Sequence, residues 1–208
     1  MIKVQRFINQ LMNSNCFVVV DDKAKHCICI DPASRESERE INLIEKDDFT
    51  LDYIFLTHEH TDHTWGVNAL LEKYPSAKVV CSERCKVALP KETKTYFQFY
   101  YDAPNYSYNV KRVDCTTEEL KWRLEWVGHD IKFIATPGHS PGSICIVIDD
   151  MVFGGDTLMP FKPFIKKRNG GSVEQFQESI KKMIKLFSED TIVYPGHGDA
   201  GIIKDYQR

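Results

Sequence analysis

The sequence predicts an α/β protein built as a four-layer αββα sandwich. The element order runs strands, helices, strands, helix, the order expected of two sheets with helices outside them. Short turns rich in glycine, proline, histidine and aspartate close several of these runs.

The segments Val4 to Ile8, Cys16 to Val20 and Cys27 to Ile30 are apolar and β-branched, and Asn13-Ser14-Asn15 and Asp21-Asp22-Lys23 separate them, so the chain opens as a strand meander. Residues 36 to 46 place Ile41, Leu43 and Ile44 among charges, a helix pattern, before the strand Tyr53 to Leu56. A helix from about Asp62 to Tyr74 gathers Val67, Leu70 and Leu71 on one face and is closed by Pro75. The short strand Lys78 to Cys81 follows, and a further helix starts near Ser82. The second strand set is Ile131 to Ile134, Ile144 to Ile148 and Met151 to Phe153, with Asp149-Asp150 as a tight turn. An amphipathic helix from about Val173 to Phe187 and a last strand, Thr191 to Tyr194, complete the order. Residues 1–208 read as one domain, with an aromatic-rich insertion at about 90–127.

A chain of 208 residues, 42% hydrophobic and 27% charged, is long enough to bury a sizeable core. The formal net charge of -3, without an extended basic block, argues against nucleic acid or an anionic membrane as partner. Seven cysteines, an odd number with no C-x-x-C pair and several inside strand-like runs, read as reduced core residues of a cytoplasmic protein. The N-terminus lacks a signal pattern and the longest apolar runs are strand-sized, so neither secretion nor a membrane span is expected.

Chemistry concentrates in Thr57-His58-Glu59-His60-Thr61-Asp62-His63, which sets four metal-ligating side chains within six residues directly after a strand. Imidazole and carboxylate together suit zinc, iron or manganese, and no thiolate interrupts the run. On one helix His60 would point away from His58 and Asp62, since i, i+2 side chains do not meet. A loop leaving a strand end can instead aim His58 and His60 at one point and Asp62 and His63 at a second beside it, a setting for two adjacent metals.

Three later turns each add one candidate. Thr136-Pro137-Gly138-His139-Ser140-Pro141-Gly142 presents His139, Gly154-Gly155-Asp156-Thr157 presents Asp156, placed to bridge two metals, and Tyr194-Pro195-Gly196-His197-Gly198 presents His197. A lone histidine is ordinarily a surface or core residue. Here five of seven histidines and two aspartates fall in strand-end turns, and only His26, before a strand, and His129, in a hairpin turn, fall outside. Thr57 and Asp31, at strand ends, read either as groups orienting the metal-holding side chains or as ordinary strand-end turn residues.

With these motifs in view, the chain resembles the metallo-β-lactamase-fold hydrolases, and among them the glyoxalase II-like branch. The resemblance covers nearly the whole chain and rests on H-x-H-x-D-H at 58–63, T-P-G-H-S-P-G at 136–142, G-D-T at 155–157 and P-G-H-G at 195–198. It implies an αββα fold and two divalent metal ions, zinc foremost with iron or manganese compatible. By the resemblance His58, His60 and His139 hold the first metal, Asp62, His63 and His197 the second, and Asp156 bridges them. It implies a metal-bridging hydroxide as nucleophile on an ester-like bond of a small-molecule substrate: a thioester, lactone or phosphodiester. Asp62 would be both a ligand and the catalytic acceptor of the water proton. Glyoxalase II enzymes carry a further C-terminal helical domain that helps bind glutathione, so a substrate other than a glutathione thioester is expected here. Two other readings stay open: a mononuclear iron dioxygenase acting on persulfides, which uses this fold with two histidines and one aspartate, and a metabolite-binding sensor of weak activity.

Substrate recognition is assigned to the stretch 90–127, where Tyr96, Phe97, Phe99, Tyr100, Tyr101, Tyr106 and Tyr108 place seven aromatics in thirteen residues. They either roof the site with phenol hydroxyls or pack as a satellite core or dimer contact. Trp122 and Trp126 read as core residues. Lys166, Lys167, Arg168 and Asn169 form a basic loop that either attracts an anionic substrate group or is a solvated turn.

Overall fold

A computed structural model describes residues 2–90, 108–161, 165 and 170–206. Alternation along the strands sorts the apolar side chains into three cores. In β2 (Asn15–Asp21) Cys16, Val18 and Val20 face outward to the helices while Phe17 and Val19 face the second sheet. In β3 (His26–Ile30) Cys27 and Cys29 point to the first of these cores and Ile28 and Ile30 to the other. β9 (Ile144–Ile148) divides likewise, with Ile144, Ile146 and Ile148 between the sheets and Cys145 and Val147 on the far side. Strands buried on both faces need a layer on each, and that produces four layers.

The first sheet runs in the order β1 (Ile2–Ile8), β2, β3, β4 (Thr50–Phe55), β5 (Lys78–Cys81) and β6 (Cys115–Thr116). Its first three strands form an antiparallel meander, and β4, β5 and β6 each join in parallel. The second sheet holds β7 (Arg123–Trp126), β8 (His129–Ala135), β9, β10 (Met151–Gly155), β11 (Ile192–Pro195) and β12 (Gly201–Ile202), in that spatial order. It is antiparallel except where β11 lies parallel to β10. Ile44 of α1 (Glu38–Lys46), Leu70 of α3 (Val67–Lys73) and Cys85 and Leu89 of α4, helical over 83–90, cover the first sheet. Met183 of α5 (Val173–Leu186) covers the second. No helix among the described residues is long and apolar enough to cross a membrane.

Three local expectations are corrected. The helix foreseen over 62–74 is two: α2 (Thr61–Thr64) and α3, parted at Trp65-Gly66. Gly66 donates its amide to Pro32 O at 2.9 Å, and a Cβ there would lie 2.4 Å from Ser37 Oγ, so packing against the 32–37 loop bends the chain at the one residue small enough. The stretch 108–127 is not wholly an insertion, because β6 and β7 are edge strands of the two sheets; Trp126 of β7 is buried in the core between them. His129 is no turn residue: Val127 (φ 43°) and Gly128 (φ 88°) make the turn, and His129 opens β8 opposite Trp126.

His129 fastens the two sheets at one end of the sandwich. Its Nε2 lies 2.8 Å from Asp21 Oδ2 in the first sheet and its Nδ1 lies 2.7 Å from Asp149 Oδ2 in the β9–β10 turn. Beside it Trp126 Nε1 donates to Asp52 Oδ2 at 2.7 Å, which His26 Nδ1 also meets at 2.7 Å. Both ring nitrogens of His129 face carboxylates, so only the imidazolium satisfies both contacts. Burial works against that charge, but the hydrogen bonds to Asp21 and Asp149 outweigh it and raise the His129 pKa; the bond to His129 in turn lowers Asp21 to about 2. A raised histidine stabilises fully below its unfolded pKa, near 6.5, and ceases to do so as pH rises through the folded value. We therefore expect urea unfolding to show stability falling between pH 6 and pH 9, and a His129→Gln protein to be less stable at pH 6 with a smaller fall over that range.

Candidate metal centre

The strands that carry the candidate side chains end at one edge. β3 and β4 are parallel, as are β10 and β11, and β8 runs the same way as β10 because each is antiparallel to β9. The turns after β3, β4, β8, β10 and β11 supply Asp31, His58 to His63, His139, Asp156 and His197 in that order. Main-chain hydrogen bonds join the sheets at this edge: Asn15 N donates to Gly196 O at 2.7 Å and Ile144 N to Thr57 O at 2.8 Å.

All seven side chains expected from the sequence converge. His58, His60 and His139 form one group, with His139 Nε2 only 2.9 Å from His60 Nδ1 and the His58 ring 4.9 Å from the His139 ring, centre to centre. Asp62, His63 and His197 form a second, in which Asp62 Oδ2 lies 3.3 Å from His197 Nε2 and 3.7 Å from His63 Nε2. Asp156 stands between them: Oδ2 is 3.3 Å from His139 Nε2, and Oδ1 is 3.4 Å from His63 Nε2 and 3.6 Å from His197 Nε2. A third grouping, Asp31 with His58 and His63, also has ligand-type atoms within reach of one another. The Asp31 carboxylate, however, is engaged by Thr57 and by the Nδ1 side of His63, away from the convergence point.

Burial divides the ionisation states. It is the main cause pushing His58 well below the ordinary imidazole range and His60 down to about 3, with neighbouring imidazoles adding to it, and it lowers His139 too. These three are neutral, the form that binds a cation. For His63 burial also works downward, but Asp156, Asp62 and Asp31 together outweigh it and raise its pKa well above 6.5. For Asp62 burial works upward and is overcome by His63 and the hydrogen bond with His197; for Asp156 it is overcome by His63 and His139, so both carboxylates lie below their usual range. The basic loop Lys166–Asn169 and the aromatics Tyr96, Phe97, Phe99, Tyr100, Tyr101 and Tyr106 lie outside the described residues. Tyr108 is described, with its hydroxyl 2.5 Å from Thr64 Oγ1 on α2.

Over residues 10–197 the chain matches the metallo-beta-lactamase superfamily, and it belongs to that superfamily. Its members are mostly metal-dependent hydrolases. The chain is similar to the B3 metallo-beta-lactamase BLEG-1, at 25% identity and TM-score 0.81 over 99% of this chain and 95% of that one. It is also similar to TTHA1623 in a di-iron-bound form, at 21% identity and TM-score 0.77 over 99% and 98% of the two chains. ETHE1 from Myxococcus xanthus is 22% identical, with TM-score 0.71 over 99% of this chain and 82% of that one. At these identities the last two are likenesses of fold.

Several residues that hold the site carry no motif-like signal. Glu59, the residue between His58 and His60, is buried, and Ser140 Oγ donates to its Oε2 at 2.9 Å, tying the His139 turn to the first histidine loop. α5 supports that turn from outside: Ser172 N donates to Gly138 O at 2.8 Å and Ser179 Oγ to Pro137 O at 2.7 Å. Asn15 Nδ2 donates to Pro195 O at 2.9 Å and Gly198 O at 2.8 Å, clamping the His197 turn, and Ser14 Oγ donates to Asp62 O. Glu59 could have been noticed as an acidic residue caught inside a buried motif; Asn15 and Ser14 look like turn residues and nothing more. We expect Ser140→Ala, which strips a buried carboxylate oxygen of one donor, to cost about 1–3 kcal/mol in urea unfolding.

Proposed function

We propose that this chain is a hydrolase holding two divalent cations, one between His58, His60 and His139 and one between Asp62, His63 and His197, with Asp156 shared. Its substrate in this reading is a small molecule with an ester-like bond: a thioester, lactone or phosphodiester, with the glyoxalase II-like hydroxyacyl-thioester hydrolases as nearest analogue. The observation that carries the reading is the Asp156 carboxylate, whose two oxygens face different histidine groups. The donor set fits cations on a second count. His58 Nε2, His63 Nε2 and Asp156 Oδ1 are buried without a hydrogen-bond partner among the described residues, a costly arrangement for polar atoms that point at one another across a shared space.

Divalent cations bound there would polarise a substrate oxygen and bring the pKa of a water molecule to about 7, as zinc does. The chain's own groups then have distinct work. Asp62, held ionised by His63 and His197, accepts a proton at Oδ2 while remaining close to the second histidine group. Neutral His58 and His60 offer lone pairs rather than protons, and Asp156 offsets positive charge on both sides. Zinc is the ion expected first, with iron next, the TTHA1623 structure being a di-iron form of the same fold. A cytoplasmic setting is supported by seven cysteines that are all free, six of them buried.

One iron held by two histidines and one aspartate is the second reading, supported by the 3.3 Å approach of His139 Nε2 to Asp156 Oδ2. Elemental analysis separates the two: about two zinc, iron or manganese ions per chain supports the hydrolase, whereas a single iron points to oxygen chemistry on a persulfide. Hydrolysis of a thioester, lactone or phosphodiester panel should vanish in Asp62→Asn and His60→Ala proteins that retain their circular dichroism. No turnover by the fully loaded protein would favour a sensor. We also expect chelation to lower the melting temperature, since an ion held only by the native state at 100 times its Kd contributes about 2.7 kcal/mol; an unchanged melting curve after verified metal removal would count against the site.

A further inference from the structure

We propose that Asp31 is the shared positioning residue of both histidine groups, and that ion binding at the two is coupled through its one carboxylate. This deepens the two-ion reading and rests on it. Asp31 follows β3, is buried, and has φ 53°, a left-handed backbone that a non-glycine residue keeps only where its surroundings hold it. Its amide donates to Phe55 O at 3.0 Å and its carbonyl accepts from Asn9 Nδ2 at 3.1 Å. So held, Oδ1 accepts from Thr57 N at 2.8 Å, while Oδ2 accepts from Thr57 Oγ1 at 2.6 Å and meets His63 Nδ1 at 2.9 Å.

Counting protons gives the consequence. A carboxylate has none to give, so the single Thr57 hydroxyl proton points to Asp31, and the 3.0 Å contact between Thr57 Oγ1 and His58 Nδ1 must be donated by the imidazole. His63 Nδ1 likewise donates to Asp31. Both rings carry a proton on Nδ1 and turn Nε2, the atom left without a partner in each, toward the convergence point. His58 belongs to the first group and His63 to the second, so one carboxylate orients a ring in each, directly on one side and through a hydroxyl on the other. Thr57 is itself locked in place: a Cβ on Gly155, whose φ is 48°, would lie 2.7 Å from Thr57 Oγ1 and 2.8 Å from its Cβ. Gly155 immediately precedes Asp156, so its small size serves the contact with Thr57 as well as the turn.

The test is zinc affinity of the folded, metal-stripped full chain, read by competition with a chromophoric chelator and alongside circular dichroism. Asp31→Asn keeps the size and suits a left-handed backbone, but exchanges an acceptor oxygen for an amide donor. We expect it to weaken both ions by about 10–100-fold, the range found when a group behind a metal ligand is lost. Thr57→Val removes only the leg to His58 and should weaken one ion alone, with Thr57→Ser restoring it. In the zinc-loaded wild type, proton NMR should show slowly exchanging Nδ1–H signals from His58 and His63, and the His63 signal should be missing in Asp31→Asn. Two ions bound by the wild type with Asp31→Asn affecting one or neither would overturn the coupling and leave the two-ion reading intact. Equal loss at both ions in Thr57→Val would also overturn it. A wild type that takes up no zinc would overturn the two-ion reading and the coupling with it.

Discussion

The edge at which the two sheets exchange main-chain hydrogen bonds is the constraint on which the site depends. Asn15 at the start of β2 meets Gly196 beyond β11, and Ile144 at the start of β9 meets Thr57 beyond β4. Each contact ties the beginning of a strand in one sheet to the end of a strand in the other, which sets the register of the sandwich where the four turns carrying the seven candidate side chains emerge. Because side chains alternate with a period of two, a slip of one residue in β4 would turn Phe55 out of the core between the sheets and carry His58 away from His139.

A second fastening at the opposite strand ends completes the frame. His129 and Trp126 of the second sheet grip Asp21 and Asp52 of the first, so the apolar interior is flanked by polar clasps at both ends. The two ends differ in what their polar groups do. In the clasp His129 has a carboxylate on each ring nitrogen, whereas at the histidine edge several polar side-chain atoms point inward with no hydrogen-bond partner among the described residues. That contrast, more than the number of histidines, separates a structural histidine from one arranged for a ligand.

Membership of the superfamily fixes the architecture, and architecture does not specify the substrate. On this scaffold the candidate side chains sit on short turns braced by buried side chains: Glu59 and Ser140 for His139, Asn15 for His197, Asp31 and Thr57 for His58 and His63.

What the sequence alone determined was everything carried by local spacing. Continuous apolar, β-branched runs marked β2, β3, β4, β9 and β10, and H-x-H-x-D-H with three glycine-flanked turns named all seven converging side chains, because side-chain type and turn chemistry are properties of adjacent residues. The tertiary structure decided what depends on distant partners. β6 and β12, two residues each, exist only because a neighbouring strand offers hydrogen bonds, and the break at Gly66 exists because the 32–37 loop packs there. Asn15 is a turn residue by its neighbours and a clamp on His197 only through contacts 180 and 183 residues away. Whether Asp31 was a strand-end residue or an orienting group was likewise undecided by its neighbours. The structure brings Thr57 and His63 to its carboxylate through β4 and α2, contacts its sequence neighbours do not reveal.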